Sequence, residues 1–255
     1  GGNEVVFDEA PARIVAYDGA AVETLFAIGE GDRVVATHSF VSYPPETASI
    51  PKVGDAFNMN VEKVVELRPD VVFVFTETFL PSLEQAGLKI LYVKSLSDNF
   101  QKSADLVRMW GHITGATERA EQVAGDFEER VAAVERALDG TSAALTVFQD
   151  TGDLWTPGPN TLMGEVFELL KLQNIAHDVA GYAQMSPEVI VERDPDIILT
   201  SDAASFLSDA AFGGVSAVKE GRLVTLQSDA LSLAGPRFVE GIEELARAVY
   251  PEVFE

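Results

Sequence analysis

One segment of this chain occurs twice, and that repetition limits the possible folds more than any other feature. Met59-Asn60-Val61-Glu62-Lys63-Val64-Val65-Glu66-Leu67-Arg68-Pro69-Asp70 lines up with Met185-Ser186-Pro187-Glu188-Val189-Ile190-Val191-Glu192-Arg193-Asp194-Pro195-Asp196, at an offset of 126 residues in a chain of 255. Each copy reads as a polar N-cap, a Glu in the first helical turn, an apolar face and a Pro-Asp stop. A buried strand follows each, Val71–Phe75 in the first copy and Asp196–Thr200 in the second. The length alone admits one large α/β domain or two lobes of roughly 100 residues. A half-chain repeat points to two lobes built on one plan.

The text around each copy alternates strand and helix. In the first half, Arg13–Tyr17, Arg33–Ala36 and Leu88–Val93 read as further strands, and Ala21–Ile28 and Val61–Leu67 as helices. In the second half, Ala144–Phe148 and Leu223–Leu226 read as strands, and Thr161–Leu170, Pro187–Arg193 and Arg237–Val249 as helices. Such alternation argues for parallel sheets flanked by helices. Between Phe100 and Leu138 no strand signal occurs. Thr117 caps a pattern in which Val123, Phe127, Val131, Val134 and Leu138 share one face, about 30 Å of helix at 1.5 Å per residue. That helix can cross from one lobe to the other or pack within one domain; periodicity does not separate the two.

Composition narrows the function classes. With 18 basic and 41 acidic residues the formal charge is −23, which opposes binding to phosphate backbones and anionic lipid, so no nucleic-acid partner is expected. Cys is absent, which excludes disulfides, thiolate metal sites and Cys nucleophiles. The longest apolar stretches, such as Val71–Phe75, fall far short of the roughly 20 residues that span a bilayer. The opening Gly1-Gly2-Asn3-Glu4, with no leader pattern, is expected of a processed chain whose targeting segment has been removed.

No Gly-x-Ser-x-Gly elbow, phosphate-binding Gly-x-x-x-x-Gly-Lys loop or His-Glu-x-x-His helix occurs. Gly29 and Gly31 are better explained by a helix-ending turn, and Asp150 and Asp153 by turn chemistry, than by a catalytic site. An α/β enzyme acting on a small molecule remains the competing class. The three histidines, His38, His112 and His177, have no spacing that gathers them with carboxylates around a metal ion.

A first-turn Glu is ordinarily a favourable charge for the helix dipole and needs no further purpose. Recurrence of Glu62 and Glu188 at matched places suggests in addition two acidic knobs for two basic pockets on a symmetric partner.

The whole chain resembles the class III substrate-binding proteins of ABC importers, the group that contains receptors for vitamin B12, ferric siderophores and haem. The resemblance is carried in order by Arg13-Ile14-Val15, Glu23-Thr24-Leu25-Phe26-Ala27-Ile28-Gly29, Ser42-Tyr43-Pro44-Pro45 and Pro51-Lys52-Val53-Gly54, by the repeat, and by Thr156-Pro157-Gly158-Pro159 and Gly235-Pro236-Arg237. It implies an α/β fold of two βα lobes with parallel sheets, joined by the single long helix Thr117–Leu138, with the ligand cleft between lobes. The expected division is an N-terminal lobe over residues 1–98, a helical segment over 99–140 and a C-terminal lobe over 141–255. It also implies that Glu62 and Glu188 dock onto arginines of two permease subunits, and that the protein is extracytoplasmic or periplasmic, a monomer without resident cofactor, with a lipid anchor upstream left open.

Ligand contacts are expected where strands end. By that rule the candidates are Tyr17, His38, Phe40, Phe57 and Phe75 in the first half and Trp155, Tyr182 and Asp229 in the second, with Arg237 as the main cation. Phe40, Phe75, Trp155, Tyr182 and Asp229 also resemble ligand-facing positions of the B12-binding members, which have an aromatic in place of Ala56 and an Arg in place of Leu233. For each aromatic the alternative is ordinary core packing. The aromatic set suits a large, flat, partly apolar ligand such as a corrin ring. Few cations oppose an anionic ferric catecholate, and haem is a third option, with Tyr17, Tyr182 or His38 as axial ligand.

Overall fold

The computed structural model describes residues 5–93, 99–141 and 145–254. The chain forms two compact units, one of residues 1–128 with 233–237 and the other of 129–232 with 238–255.

The first unit contains β1 (Ile14–Tyr17), α1 (Gly19–Ala27), β2 (Val34–Ala36), α2 (Val61–Glu66), β3 (Val71–Val74), α3 (Leu80–Gln85), β4 (Ile90–Tyr92), α4 (Ser103–Thr114) and the start of α5 (Thr117–Ala137). Its four strands form a parallel sheet in the order β2-β1-β3-β4. Every residue of β1 and β3 is buried, as expected of continuous apolar runs covered by helices on both faces. Asp18, at the end of β1, starts α1 by accepting the Ala21 N–H at 2.8 Å. α4 lies in the stretch without strand signal and ends at Gly115 in the left-handed conformation. A Cβ on its Gly111 would come within 2.2 Å of the Ala120 Cβ, so glycine there lets α4 and α5 approach.

The second unit takes the rest of α5 and then β5 (Thr146–Asp150), β6 (Trp155–Pro157), α6 (Leu162–Leu169), β7 (Gln173–Asn174), β8 (Tyr182–Gln184), α7 (Pro187–Arg193), β9 (Ile197–Thr200), α8 (Ala203–Ser208), α9 (Ser216–Lys219), β10 (Leu223–Val224) and α10 (Phe238–Val249). The main sheet is again parallel, in the order β10-β9-β5-β7, and β6 and β8 form a separate antiparallel ribbon. Ala144, expected to open a strand, lies outside the described residues; the strand itself runs Thr146–Asp150.

The two sheets have the same topology. In each, the strand after the repeated helix sits beside the first strand of its unit, β3 beside β1 and β9 beside β5. The repeat extends to individual hydrogen bonds. Asp70 accepts the N–H groups of Ala12 and Arg13, both at 2.8 Å, just before β1. Asp196 accepts the N–H and hydroxyl of Thr146, both at 2.8 Å, at the start of β5. Arg68 (φ 48°) and Asp194 (φ 42°) are both left-handed, so the two copies turn into Pro-Asp the same way. Val64 of α2 and Ile190 of α7 are each fully buried in the core of their own unit.

α5 runs for 21 residues, about 30 Å, and the boundary between the units falls inside it. The first unit also holds Leu233–Arg237 from late in the chain. There the Ser103 hydroxyl donates to the Ala234 carbonyl at 2.8 Å, and Arg237 pairs with Glu23 at 2.8 Å.

Candidate functional site

In the first unit the C-terminal ends of the parallel strands carry a connected set of aromatic rings. Tyr17 ends β1, Phe75 follows β3, and His38 and Phe40 follow β2. His38 packs edge-on against Tyr17 and Phe40, with centroids 5.4 and 6.1 Å apart, and lies 6.4 Å from Phe75. Phe57 joins through Phe40 at 6.4 Å. Phe57 is 77% exposed, Phe40 63% and Phe75 39%, so three phenylalanines share one open surface. A contiguous apolar patch of this kind marks an interaction site.

Beneath it the rings are held by a polar layer. Tyr17 is fully buried and its hydroxyl donates to the Asp55 carbonyl, with the Asn58 carbonyl at 3.1 Å. Tyr17 therefore supports the patch from below and does not form part of its surface. Burial, reinforced by the Asp55 charge, pushes its hydroxyl up to about 12. His38 is also buried, and its Nδ1 accepts the Phe40 N–H at 3.3 Å. Burial first and the Lys52 charge second hold His38 below its ordinary value, against the opposing pull of Asp55. The bond from Phe40 requires an unprotonated Nδ1, in keeping with the lowered value.

The loop presenting Phe57 is closed by Asp55, whose Oδ1 accepts the N–H groups of Phe57 and Asn58, both at 2.8 Å. These bonds, that from Phe57 first, hold the Asp55 carboxyl below its usual range. Gly54 has φ 130°, and a Cβ on it would come within 2.0 Å of the Asn58 carbonyl and 2.7 Å of the Tyr17 hydroxyl. Only glycine fits there. Ala56 sits in this same exposed turn.

Arg237 and Lys52 are both committed inside the fold. The Arg237 guanidinium lies 3.5 Å over the Tyr43 ring besides pairing with Glu23, whose side chain is almost wholly buried. Expected as the main ligand-facing cation, Arg237 instead has its charge satisfied within the first unit. Lys52 donates to the Val41 carbonyl at 2.9 Å. Leu233 is exposed, and its Cδ1 would lie 2.5 Å from a Cβ on Gly19, at the start of α1.

In the second unit, Trp155 and Tyr182 are 46% and 53% exposed. Trp155 pairs with Gln184 and Pro157 with Tyr182 in the β6/β8 ribbon, so both rings lie on one face as diagonal neighbours, about 7 to 8 Å apart at their backbones. Thr151 donates its N–H to the Trp155 carbonyl at 2.8 Å and also lines a cavity of about 250 Å³. That cavity opens at the C-terminal ends of β5 and β9 and is walled by Gln149, Asp150, Thr200, Thr225, Ser228 and the expected Asp229, among others. The Asp150 carboxylate accepts from the Gly152 and Leu154 N–H groups and from the Thr200 hydroxyl. Carboxylates and hydroxyls on this wall suit a ligand with N–H or O–H donors and disfavour a carboxylate.

Glu62 and Glu188 are both exposed, in the first turns of α2 and α7. Asn60 caps α2 by accepting the Lys63 N–H at 3.0 Å, and Ser186 with Pro187 opens α7. The Glu188 carboxyl is held below its ordinary value by its own backbone N–H first and the Ser186 side chain second.

Among the described residues no three His, Cys, Asp or Glu side chains gather in a way that would hold a metal ion, and no helix is long and apolar enough to cross a membrane. The residue-level reading missed Phe79, whose ring lies 5.2 Å from Tyr17 and 6.3 Å from Phe75, and the Asp55–Asn58 clasp. The Val53-Gly54-Asp55 text was the available signal for the clasp.

Two like parallel sheets, with exposed aromatics in each unit, suit a solute-binding protein. The chain belongs to the periplasmic binding protein family, which it matches over residues 14–230. It is 31% identical over 268 residues to an uncharacterized ABC transporter substrate-binding lipoprotein of Bacillus subtilis strain 168, across 99% of this chain and 84% of that one. It is 30% identical over 267 residues to a cobalamin-binding protein of Halobacterium salinarum, across 96% of this chain and 71% of that one. The crystal structure of the periplasmic vitamin B12-binding protein of Vibrio cholerae superposes with a TM-score of 0.85 at 25% identity, covering 95% of this chain and 98% of that one. The chain is accordingly the substrate-binding component of an ABC importer, an extracytoplasmic ligand carrier and not an enzyme.

Proposed function

We propose that the ligand is a corrinoid, captured by exposed aromatic rings and delivered to the permease by a monomeric receptor. The observation that carries this reading is the pairing of open aromatic surfaces with the commitment of Arg237 and Lys52 to partners inside the fold. Phe40, Phe57, Phe75, Trp155 and Tyr182 are all exposed, while Arg237 and Lys52 are committed to internal partners. A large, near-neutral macrocycle with amide side arms matches rings for its faces and the carboxylates and hydroxyls around Asp229 for its N–H donors. The names of the Halobacterium and Vibrio relatives support the same ligand class. A ferric siderophore or haem is the alternative within the family, and anionic examples of either would meet Asp150 and Asp229 on the cavity wall.

In this reading Glu62 and Glu188 dock the loaded receptor onto two basic sites of the permease. A lipid anchor upstream, as the name of the Bacillus relative suggests, would keep the receptor at the membrane. The test is a panel of cobalamin, cobinamide, haemin and ferric siderophores, scored by absorbance change and melting shift. Cobalamin at 100 times its dissociation constant raises stability by about 2.7 kcal/mol without being converted. A response to haemin or a siderophore alone overturns the corrinoid assignment.

A further inference from the structure

We infer that Asp150 is the positioning residue of Trp155: its carboxylate holds a left-handed turn that sets the ring on the surface of the second unit, and it acts on ligand affinity through that ring. This rests on the reading of Trp155 as a ligand contact. Between β5 and β6, Gly152, Asp153 and Leu154 have φ of 119°, 51° and 61°, and among the described residues no other three in succession are left-handed. Glycine takes this conformation freely and aspartate tolerates it, whereas the Cβ of leucine is crowded in it. Such residues persist only where their surroundings hold them, and they cluster at ligand clamps and switch regions.

The hold on this turn converges on one carboxylate. Asp150 Oδ1 accepts the Gly152 N–H at 3.0 Å and the Leu154 N–H at 2.9 Å, from the first and last of the left-handed residues. Oδ2 accepts the hydroxyl of Thr200 at 3.1 Å, a buried residue that pairs with Asp150 in the register of β5 and β9. Two adjacent strands of the main sheet therefore fix the acceptor. The turn in turn fixes Trp155, whose N–H donates to the Gly152 carbonyl at 3.0 Å and whose carbonyl accepts the Thr151 N–H at 2.8 Å. Leu154 packs against the core of the unit while Trp155, the next residue, is exposed.

Asp150 also lines the cavity at these strand ends, but both its oxygens are already engaged, one by the turn and the other by Thr200. Its effect on a ligand is therefore exerted through Trp155: a ring ordered in advance spares binding the cost of ordering it. In the first unit Asp55 closes the Phe57 turn in a similar way, but there the left-handed residue is a glycine, Gly54, and the backbone conformation needs less support.

The test combines cobalamin titration with Trp fluorescence of the full receptor. The chain has two tryptophans, and Trp110 is fully buried, so acrylamide quenching reports Trp155. Asp150→Ala is expected to raise that quenching and to weaken cobalamin binding about tenfold, and to weaken it no further in a Trp155→Ala background. Asp150→Asn keeps the Oδ1 acceptor and is expected to restore both the parent quenching and the parent affinity. Thr200→Val, nearly equal in shape, frees the other oxygen and moves both quantities in the direction of Asp150→Ala, which covers a failure of the alanine variant to fold. If Asp150→Asn binds as weakly as Asp150→Ala, Asp150 acts by its charge and the positioning role is wrong. Losses from Asp150→Ala and Trp155→Ala that simply add overturn it as well. If Trp155→Ala weakens binding while Asp150→Ala changes neither affinity nor quenching, the positioning role fails and the ligand reading stands. If Trp155→Ala binds cobalamin like the parent, the ligand reading of that ring fails, and the inference with it.

Discussion

His38 occupies a position where a small change of charge alters the aromatic surface above it. Its Nδ1 accepts the Phe40 N–H, and protonation of that nitrogen turns the acceptor into a donor and breaks the bond. Because the folded group titrates below its ordinary 6.5, its contribution to stability is complete above about 6.5 and is lost as pH falls through the lowered folded value. A histidine-resolved NMR titration is expected to give His38 a midpoint below 6.5, with ligand affinity falling over the same range. A midpoint at or above 6.5 contradicts the buried, neutral assignment.

At Phe57 the outcome is different, since the ring is open to solvent and supports no core. Phe57→Ala is expected to leave the melting temperature unchanged and to lower ligand affinity about 10- to 100-fold, the equivalent of burying one aromatic side chain. Strand-end reasoning located Tyr17, His38 and Phe75 because the last residue of a buried apolar run is visible in the text. It did not show depth. The Asp55–Asn58 turn closes over Tyr17 through bonds between residues 38 and 41 positions apart, and no local pattern announces them.

At the scale of elements, the repeated helix-Pro-Asp-strand module was legible because both its stops and its buried face are local signals. Its stitching is less visible. Asp196 gives the start of β5 its acceptor, and Asp196→Ala leaves the Thr146 N–H and hydroxyl without it. Urea unfolding is expected to show a loss of about 1 to 3 kcal/mol, and Asp70→Ala a similar loss in the first unit. Ile190→Ala, which removes a fully buried side chain, costs about 2 to 5 kcal/mol in the same assay. α4 escaped the periodicity argument because Gly111 sits in its interior, and glycine is a poor helix former that pays off only through the close approach of Ala120. The β6/β8 ribbon was equally hidden, as two three-residue strands, one of them ending in Pro157, are too short to carry an alternating pattern.

For the molecule as a whole, duplication explains why one chain carries two similar sheets and two acidic helices; the aromatic surfaces differ, the second lying on a ribbon that belongs to the second unit. The return of Leu233–Arg237 to the first unit is the main departure from a simple halving of the chain. Those five residues bring Arg237 to Glu23 across 214 positions, a pairing that depends on the finished fold. This is why Arg237 read as an available cation from its place before α10. The central claim is the proposal that the receptor binds a corrinoid intact through its exposed aromatic residues. Calorimetric titration with cobalamin tests it most directly, repeated on Phe57→Ala and Trp155→Ala. The account predicts one site per chain, cobalamin recovered unaltered, and weaker binding in both variants. Absence of cobalamin binding, or weakening by only one of the two substitutions, would contradict it.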